Sequence, residues 1–369
     1  MKIAQVQRDV LLKPLQAVTG IVEKRHTLPI LSNVLLQRKQ EQLFLVATDL
    51  EIQVSTSSAG ERKGGDDVSL TVSARKLQDI LRALPEETEV LLDAQNNRLQ
   101  VRAGKSRFNL QTLPAADFPS MAKPGEPLAR FSLRQQTLHE LLLLVQYAMA
   151  QQDIRYYLNG LLLVLEGEQI RVVATDGHRL SYAAGRLEEA QEKREVILPR
   201  KAVLELAKQL GAGDEVVEVE VFPSQVKFTF GHVELITKVI DGKFPDYTRV
   251  IPPNYQKHIT LNRAVLLQAL QRAAILSNEK FRGVRWMLTA NNLRISCTNN
   301  EQEEAQEELE VSYNGEALDV GFNITYLLDV LNNLHNDAVT CSFGDATSSM
   351  LVTVKENENF RYVVMPMRI

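Results

Sequence analysis

Cysteine is nearly absent, Cys297 and Cys341 being the only two. Two thiols cannot staple a disulfide scaffold, and neither sits at a metal-ligand spacing. A reducing, cytoplasmic setting with no metal and no cofactor is the expectation. No apolar run approaches the roughly 18 residues of a membrane span. The opening Met1-Lys2-Ile3-Ala4-Gln5 has no signal-peptide hydrophobic region, so no membrane partner is expected. Zinc fingers, basic zippers, single-strand stacking motifs and glycine-rich phosphate loops are all missing. Asp176-Gly177-His178-Arg179 looks like a catalytic cluster, with a His beside an Asp as general base. No nucleophile motif accompanies it, so no independent catalytic activity is expected. There is no overall basic excess either. The net charge is -4, which on its face argues against a nucleic-acid partner, but the distribution of charge matters more than its total.

The chain does contain one stretch more than once. Ile170-Arg171-Val172-Val173-Ala174-Thr175-Asp176 has the form of Leu43-Phe44-Leu45-Val46-Ala47-Thr48-Asp49, and Leu293 to Asn299 is a weaker third copy. Their threonines, Thr48, Thr175 and Thr298, lie 127 and 123 residues apart. An apolar stripe at i, i+3, i+4, i+7 follows each copy: Leu77, Ile80, Leu81, Leu84; then Val203, Leu206, Ala207, Leu210; then Leu327, Val330, Leu331, Leu334. A period this long is a domain rather than a solenoid repeat. The 369 residues therefore divide into three tandem domains, 1–127, 128–254 and 255–369. Proline-bearing stretches at 120–127 and 252–254 supply the joints.

Each domain is expected to place two helices on one side of a strand-rich sheet, an α+β arrangement. In the first, Asp9 is the expected cap of a helix burying Leu11, Leu12, Leu15 and Val18, with Pro14 near its first turn. Ser73 and Asn323 are expected caps of later helices. In the third domain Val265, Leu266, Ala269 and Leu270 are expected inward. Hairpins are expected around 39–42, at Gly167 and at 290–292. The helices carry Arg8, Lys13, Arg75, Lys76, Arg82, Arg134, Arg200, Lys201, Lys208, Arg263 and Arg272, while glutamates gather at 301–310 in an expected hairpin connection. Basic helices inside an acidic shell suit a phosphate backbone, and without a recognition motif the contact is expected to position the backbone without reading bases. Solvated helix faces explain the same charges about as well.

Longer motifs go further. Arg155-Tyr156-Tyr157-Leu158-Asn159-Gly160, Ala174-Thr175-Asp176-Gly177-His178-Arg179-Leu180, Phe244-Pro245-Asp246-Tyr247, residues 274–283 and the ending Val363-Val364-Met365-Pro366-Met367-Arg368 resemble the bacterial sliding clamps, the β subunits of DNA polymerase III. The resemblance spans the whole chain. It implies a head-to-tail homodimeric ring of clamp-type domains, helices inside and sheets outside, that encircles duplex DNA and confers processivity in chromosomal replication. A clamp-like paralogue in repair or another DNA transaction is the alternative. It implies DNA contact by Arg25, Gln152, Arg155, Tyr156 and Tyr157, with Arg75 and Lys201 at helix starts; packing alone also suits the two tyrosines.

The resemblance further implies a pocket for short peptides from the polymerase III α subunit, the clamp-loader δ subunit, other polymerases and repair proteins. Its residues are Leu158, Thr175, Gly177, His178, Arg179, Leu180, Pro245, Arg249, Val250, Phe281, Asn323, Tyr326, Thr347, Ser349, Val363, Val364, Met365, Pro366, Met367 and Arg368. The methionines and aliphatics suit apolar anchors, and the arginines suit a peptide's polar groups. Thr347 departs from the small aliphatic residue expected there, and Ile369 replaces a terminal leucine. At the dimer joint, Phe108 and Leu110 are expected to meet Ile275 and Leu276, and Lys105 and Arg107 to face Glu301, Glu303 and Glu304.

Overall fold

The structure, a computed structural model, describes residues 1–23, 28–59, 67–122, 125–211 and 213–368. Arg25 and Ile369 lie outside the described residues. Six α-helices are described: α1 (Arg8–Thr19), α2 (Ala74–Ala83), α3 (Gln135–Val145), α4 (Arg200–Gln209), α5 (Arg263–Ala274) and α6 (Ile324–Asn333). The first and third repeats each follow one order: strand, helix, four strands, helix, three strands. In the second, two long runs, Gly160–Thr175 and Arg179–Pro199, take the place of the four middle strands. The shared path still shows. Residues 160–165 pair with 194–199, and residues 169–175 pair with 180–186. Between them Gly167 has φ +59, matching the turn residues Gln40 (φ 55) and Asn291 (φ 55) of the other repeats. A two-residue period makes the hairpins at 39–42 and 290–292 legible in the sequence, whereas residues 160–175 form one long strand run whose two halves pair with 194–199 and 180–186.

Two compact units emerge from the contacts: residues 1–136 with 204–239, and 137–203 with 240–369. The first unit contains a 12-stranded sheet and the second a six-stranded and a four-stranded sheet. In the first, antiparallel pairing of Ile52–Ala59 with Val233–Lys238 joins strands of the first and second repeats. In the second, pairing of Arg179–Pro199 with Asn357–Val364 joins strands of the second and third. The core of the third repeat packs the only tryptophan, Trp286, against Phe322 and Phe343, with ring centroids 5.8 and 6.3 Å apart.

The helix stripes are buried as their spacing requires. Leu77, Leu81 and Leu84, then Val203, Leu206, Ala207 and Leu210, then Leu327, Val330, Leu331 and Leu334 all face the core, with Ile80 half-buried. Ser73, Asn262 and Asn323 cap their helices by accepting from backbone N–H groups. Four expectations are corrected. Asp9 is not a cap: α1 begins after Gln7, which gives no side-chain bond, and Asp9 sits in its first turn. Pro14 therefore falls in the helix interior, not its first turn. Val265 points to solvent, and Ala273 joins the buried stripe in its place. Glu304–Glu310 is a strand rather than a loose connection, with outward glutamates alternating with Ala305, Glu307 and Leu309.

Both thiols are buried, and burial pushes Cys297 up to about 11 and Cys341 up to about 12. The thiolate is the reactive form, so neither cysteine is expected to react with a disulfide reagent at pH 8 in the folded protein. Reaction should appear only with unfolding, followed as thiol release against denaturant. Fast labelling of the native chain would contradict this burial.

Candidate functional site

The sequence repeat that marks the chain ends, in each copy, in a side-chain-built turn, with the same bonds in the first two copies and a looser version in the third. Thr48 Oγ1 donates to the Ile52 carbonyl at 2.8 Å and accepts from Leu50 N, while Asp49 Oδ1 accepts from Glu51 N and Ile52 N. Thr175 Oγ1 donates to the Arg179 carbonyl at 2.6 Å and accepts from Gly177 N, while Asp176 Oδ1 accepts from His178 N and Arg179 N. Asn299 Oδ1 accepts from Glu301 N and Glu303 N in the third copy. A short polar side chain closing the backbone two or three residues on is why Thr-Asp recurs at a strand end. Gly177 has φ +88, a conformation suited to glycine.

In the second repeat this turn carries extra parts. His178 O accepts from Met365 N at 2.8 Å, and Gly321 O accepts from Met367 N at 2.8 Å. Arg179 and Leu180 pair with Val364 and Val363. The chain's last residues thus lie along the turn and the strand that ends at Asn323. Beneath them Leu158, Leu180 and Val363 are buried in one apolar cluster with Phe244, against which Tyr157, Tyr247 and Ile251 pack. Above this floor the chain leaves apolar groups in solvent: Val250 is 39% exposed and Met365 48%, with Pro366 and Met367 half-buried. His178, Pro245, Arg249 and Arg368 are exposed, and Arg249 meets Asp246 at 3.0 Å. Phe281, 59% exposed, stands in an Asn278-capped turn beyond α5, with the Lys280 ammonium over its ring. Ser349 is half-buried just before strand Met350–Val354.

Besides Thr175, three further pocket candidates have their polar groups already engaged. Arg179, expected to receive a peptide's polar groups, donates through Nε to Asp176 at 3.1 Å and through Nη1 to Asp329 at 2.6 Å. Its Nη2 donates to the Tyr147 carbonyl at 2.6 Å, and its guanidinium lies 4.4 Å from the Tyr326 ring centroid. With its side chain 9% exposed, this guanidinium holds the pocket's framework together. Asn323 spends its side chain capping α6. Thr347 bonds Asp345 through both N and Oγ1, and with Ser348 it lowers that carboxyl to about 2. The hydroxyl thus has a local task that an aliphatic residue cannot perform.

Of the tyrosines around Arg179 only Tyr326 is among the pocket candidates, and no sequence motif marks Tyr147 or Tyr362. Tyr147, Tyr326 and Tyr362 converge there, with the Tyr362 hydroxyl donating to the Tyr326 carbonyl at 2.9 Å. Burial pushes the phenol pKa of all three upward, which keeps them neutral. The only sequence signal of Tyr147 and Tyr362 is that each sits at an inward position of an element.

The DNA candidates divide. Gln152 is exposed at φ 57, and Arg155 and Tyr156 are exposed with it, whereas Tyr157 is half-buried against the apolar cluster. Tyr156 stacks edge-on against Tyr157, centroids 5.8 Å apart. Arg75 is exposed at the start of α2, and Lys201 is half-buried at the start of α4. Three other helix cations do structural work. Arg8 donates to Leu84 O, Arg200 to Met149 O, and Arg263 to Leu331 O and Asn336 O at the end of α6. Arg272 is paired with Glu307 at 2.7 Å. Lys13, Lys76 and Arg82 remain exposed.

The joint candidates sit on strand edges. Residues 106–111, which include Arg107, Phe108 and Leu110, pair with 98–103 on one side, and no strand among the described residues pairs on the other. Lys105 is in the turn before them. Glu304–Glu310 is the outer strand of the four-stranded sheet, with Glu301, Glu303 and Glu304 exposed. Ile275 is 77% exposed just beyond α5, with Leu276 half-buried.

Three copies of one α+β unit sharing a strand-helix order and a closing turn define a tandem clamp-type protein. Sequence patterns of the N-terminal, central and C-terminal domains of the DNA polymerase III beta subunit match residues 1–122, 132–246 and 248–368. The chain is 44% identical over 366 residues to the beta sliding clamp of Vibrio cholerae and 45% identical over 365 to that of Pseudomonas aeruginosa, covering 99% of each. It superposes on the crystal structure of a Pseudomonas aeruginosa sliding clamp bound to griselimycin with TM-score 0.95 at 45% identity, covering 100% of both chains. The chain belongs to the DNA polymerase III beta subunit family. Its function is that of a DNA sliding clamp in replication, a processivity factor with no catalysis of its own.

Proposed function

We propose that two copies close head to tail into a ring around duplex DNA, helices towards the hole and sheets outward, with repeat boundaries at 127 and 254. The observation that carries this reading is a pair of strand edges of opposite charge left open among the described residues, 106–111 with Arg107 and the adjacent Lys105, and Glu304–Glu310. Antiparallel pairing of these edges in two chains hides both, and a heterologous contact closes when the rotation fits. Ile275 and Leu276 lie against Phe108 and Leu110 in that joint.

A ring holds DNA by linkage, so its phosphate contacts can be weak and salt-dependent and still permit sliding. Gln152, Arg155, Tyr156, Tyr157, Arg75, Lys201 and Arg25 make those contacts. Only charges within about 8–10 Å of the DNA act on it at moderate salt, so the net charge of -4 is no obstacle. The exposed apolar groups around Leu180, Val250 and Met365–Met367, with Arg249 and Arg368 at the edge, take short peptides from the polymerase III α subunit, the clamp-loader δ subunit, other polymerases and repair proteins. The cytoplasm, at the nucleoid, is the setting.

The test is retention after loading on nicked circular DNA. The protein should persist on the circle and run off once the DNA is linearised; equal retention on both forms would mean ordinary affinity and no ring. A chain ending at Val364 should stay on the circle yet no longer stimulate the polymerase. Unchanged stimulation would remove the pocket from this reading.

A further inference from the structure

Arg155 stands between the two candidate sites. Its guanidinium meets Asp153 with two bonds, Nε to Oδ1 at 3.0 Å and Nη2 to Oδ2 at 2.8 Å. Asp153 is itself fixed, its N donating to Asn159 Oδ1 at 2.9 Å and its O accepting from Asn159 Nδ2 at 2.8 Å. From this mooring Nη2 also donates to the Asp176 carbonyl at 3.2 Å. The guanidinium then lies close against Gly177, where a Cβ would stand 2.9 Å from Nη1 and 3.0 Å from Nη2. The turn it covers is the one whose next carbonyl, His178 O, receives Met365 N. One unbroken path therefore runs from Asn159 through Asp153 and Arg155 to the turn at 175–178 and on to the C-terminal residues.

We propose that Arg155 is a positioning residue of the partner pocket, clamping the Thr175–His178 turn that carries Met365, and that a DNA phosphate competes for the same guanidinium. This rests on the pocket and DNA contact proposed above. The phosphate would displace a carboxylate and a carbonyl from one fork, a replacement that costs little because a guanidinium binds both anions in the same bidentate way. The turn would then lose the side chain packed on Gly177, and the bond to Met365 would lose its support. DNA inside the ring and a peptide in the pocket would thereby sense each other through one side chain.

Hydrogen exchange at the His178, Arg179 and Met365 amides reads this in the full-length protein, with the Cys341 amide in the third-repeat core as control. Arg155→Ala should speed exchange at the three amides about tenfold, the weight of one charge-assisted hydrogen bond, and leave Cys341 unchanged. Arg155→Lys should not restore protection, since an ammonium cannot bridge Asp153 and Asp176 O together. Adding a short blunt duplex at low salt should speed the same amides in the wild type and have no further effect in Arg155→Ala. Unchanged exchange in Arg155→Ala overturns the proposal. Accelerated exchange in the variant with no response to duplex keeps the positioning role and overturns the competition, which identifies the DNA-contact reading as the part that failed.

Discussion

Ile275→Asp is expected to leave the protein monomeric at micromolar concentration, where the proposed ring is a dimer, with the fold intact. In the isolated chain Ile275 is 77% exposed just beyond α5, so an aspartate there is solvated and costs the monomer little. In the proposed joint it would be pressed against Phe108 and Leu110, an unpaired carboxylate beside apolar groups. Such a charge costs about 2 kcal/mol per joint, about 4 kcal/mol for the two joints of a head-to-tail ring, or roughly a thousandfold in the dissociation constant. Sedimentation equilibrium gives the mass, and retention on circular DNA gives the consequence. A variant that remains dimeric with full retention would place the joint elsewhere. A monomer with an unchanged circular dichroism spectrum would separate association from folding.

Arg179→Met is expected to lower the stability of the unit formed by residues 137–203 and 240–369 by about 3 kcal/mol, because removing one member of a buried ion pair strands its partners. Three acceptors lose their donor at once: Asp176, Asp329 and the Tyr147 carbonyl. Asp329 keeps part of its surface in water and rehydrates, which holds the cost to the lower end of the range. Arg179→Lys should recover only about 1 kcal/mol, since a point charge cannot serve three directions or stack on Tyr326. Trp286, the only tryptophan, lies in the same unit and reports its unfolding by fluorescence against urea. The midpoint should fall with an unchanged slope. A shift below about 1 kcal/mol would mean that water replaces the arginine at little cost.

Arg179 also marks how far local sequence carries. As a sequence element it is one more arginine in a motif, no different from the exposed pocket candidate Arg249. The chain's own partners for it, Asp329 and Tyr147, lie 150 and 32 residues away, a separation that no period or spacing records. The glutamates of 304–310 show the opposite problem. Their charge suggests a solvated connection, yet their alternation with Ala305, Glu307 and Leu309 satisfies a strand that packs one face, and the neighbouring strand Asn292–Thr298 supplies the ladder.

The helix stripes, the hairpin turns at 39–42 and 290–292 and the Asn323 cap are set by local sequence, because each depends on residues within about eight positions of one another and on backbone geometry common to all proteins, and the threefold repeat shows as the recurrence of those local patterns. Tertiary structure alone decided which strands pair across repeats, which of the helix cations are consumed internally and that Arg155 covers Gly177. Those outcomes depend on which distant groups compete for the same donor or the same strand edge, and that competition is settled only when the whole chain is packed.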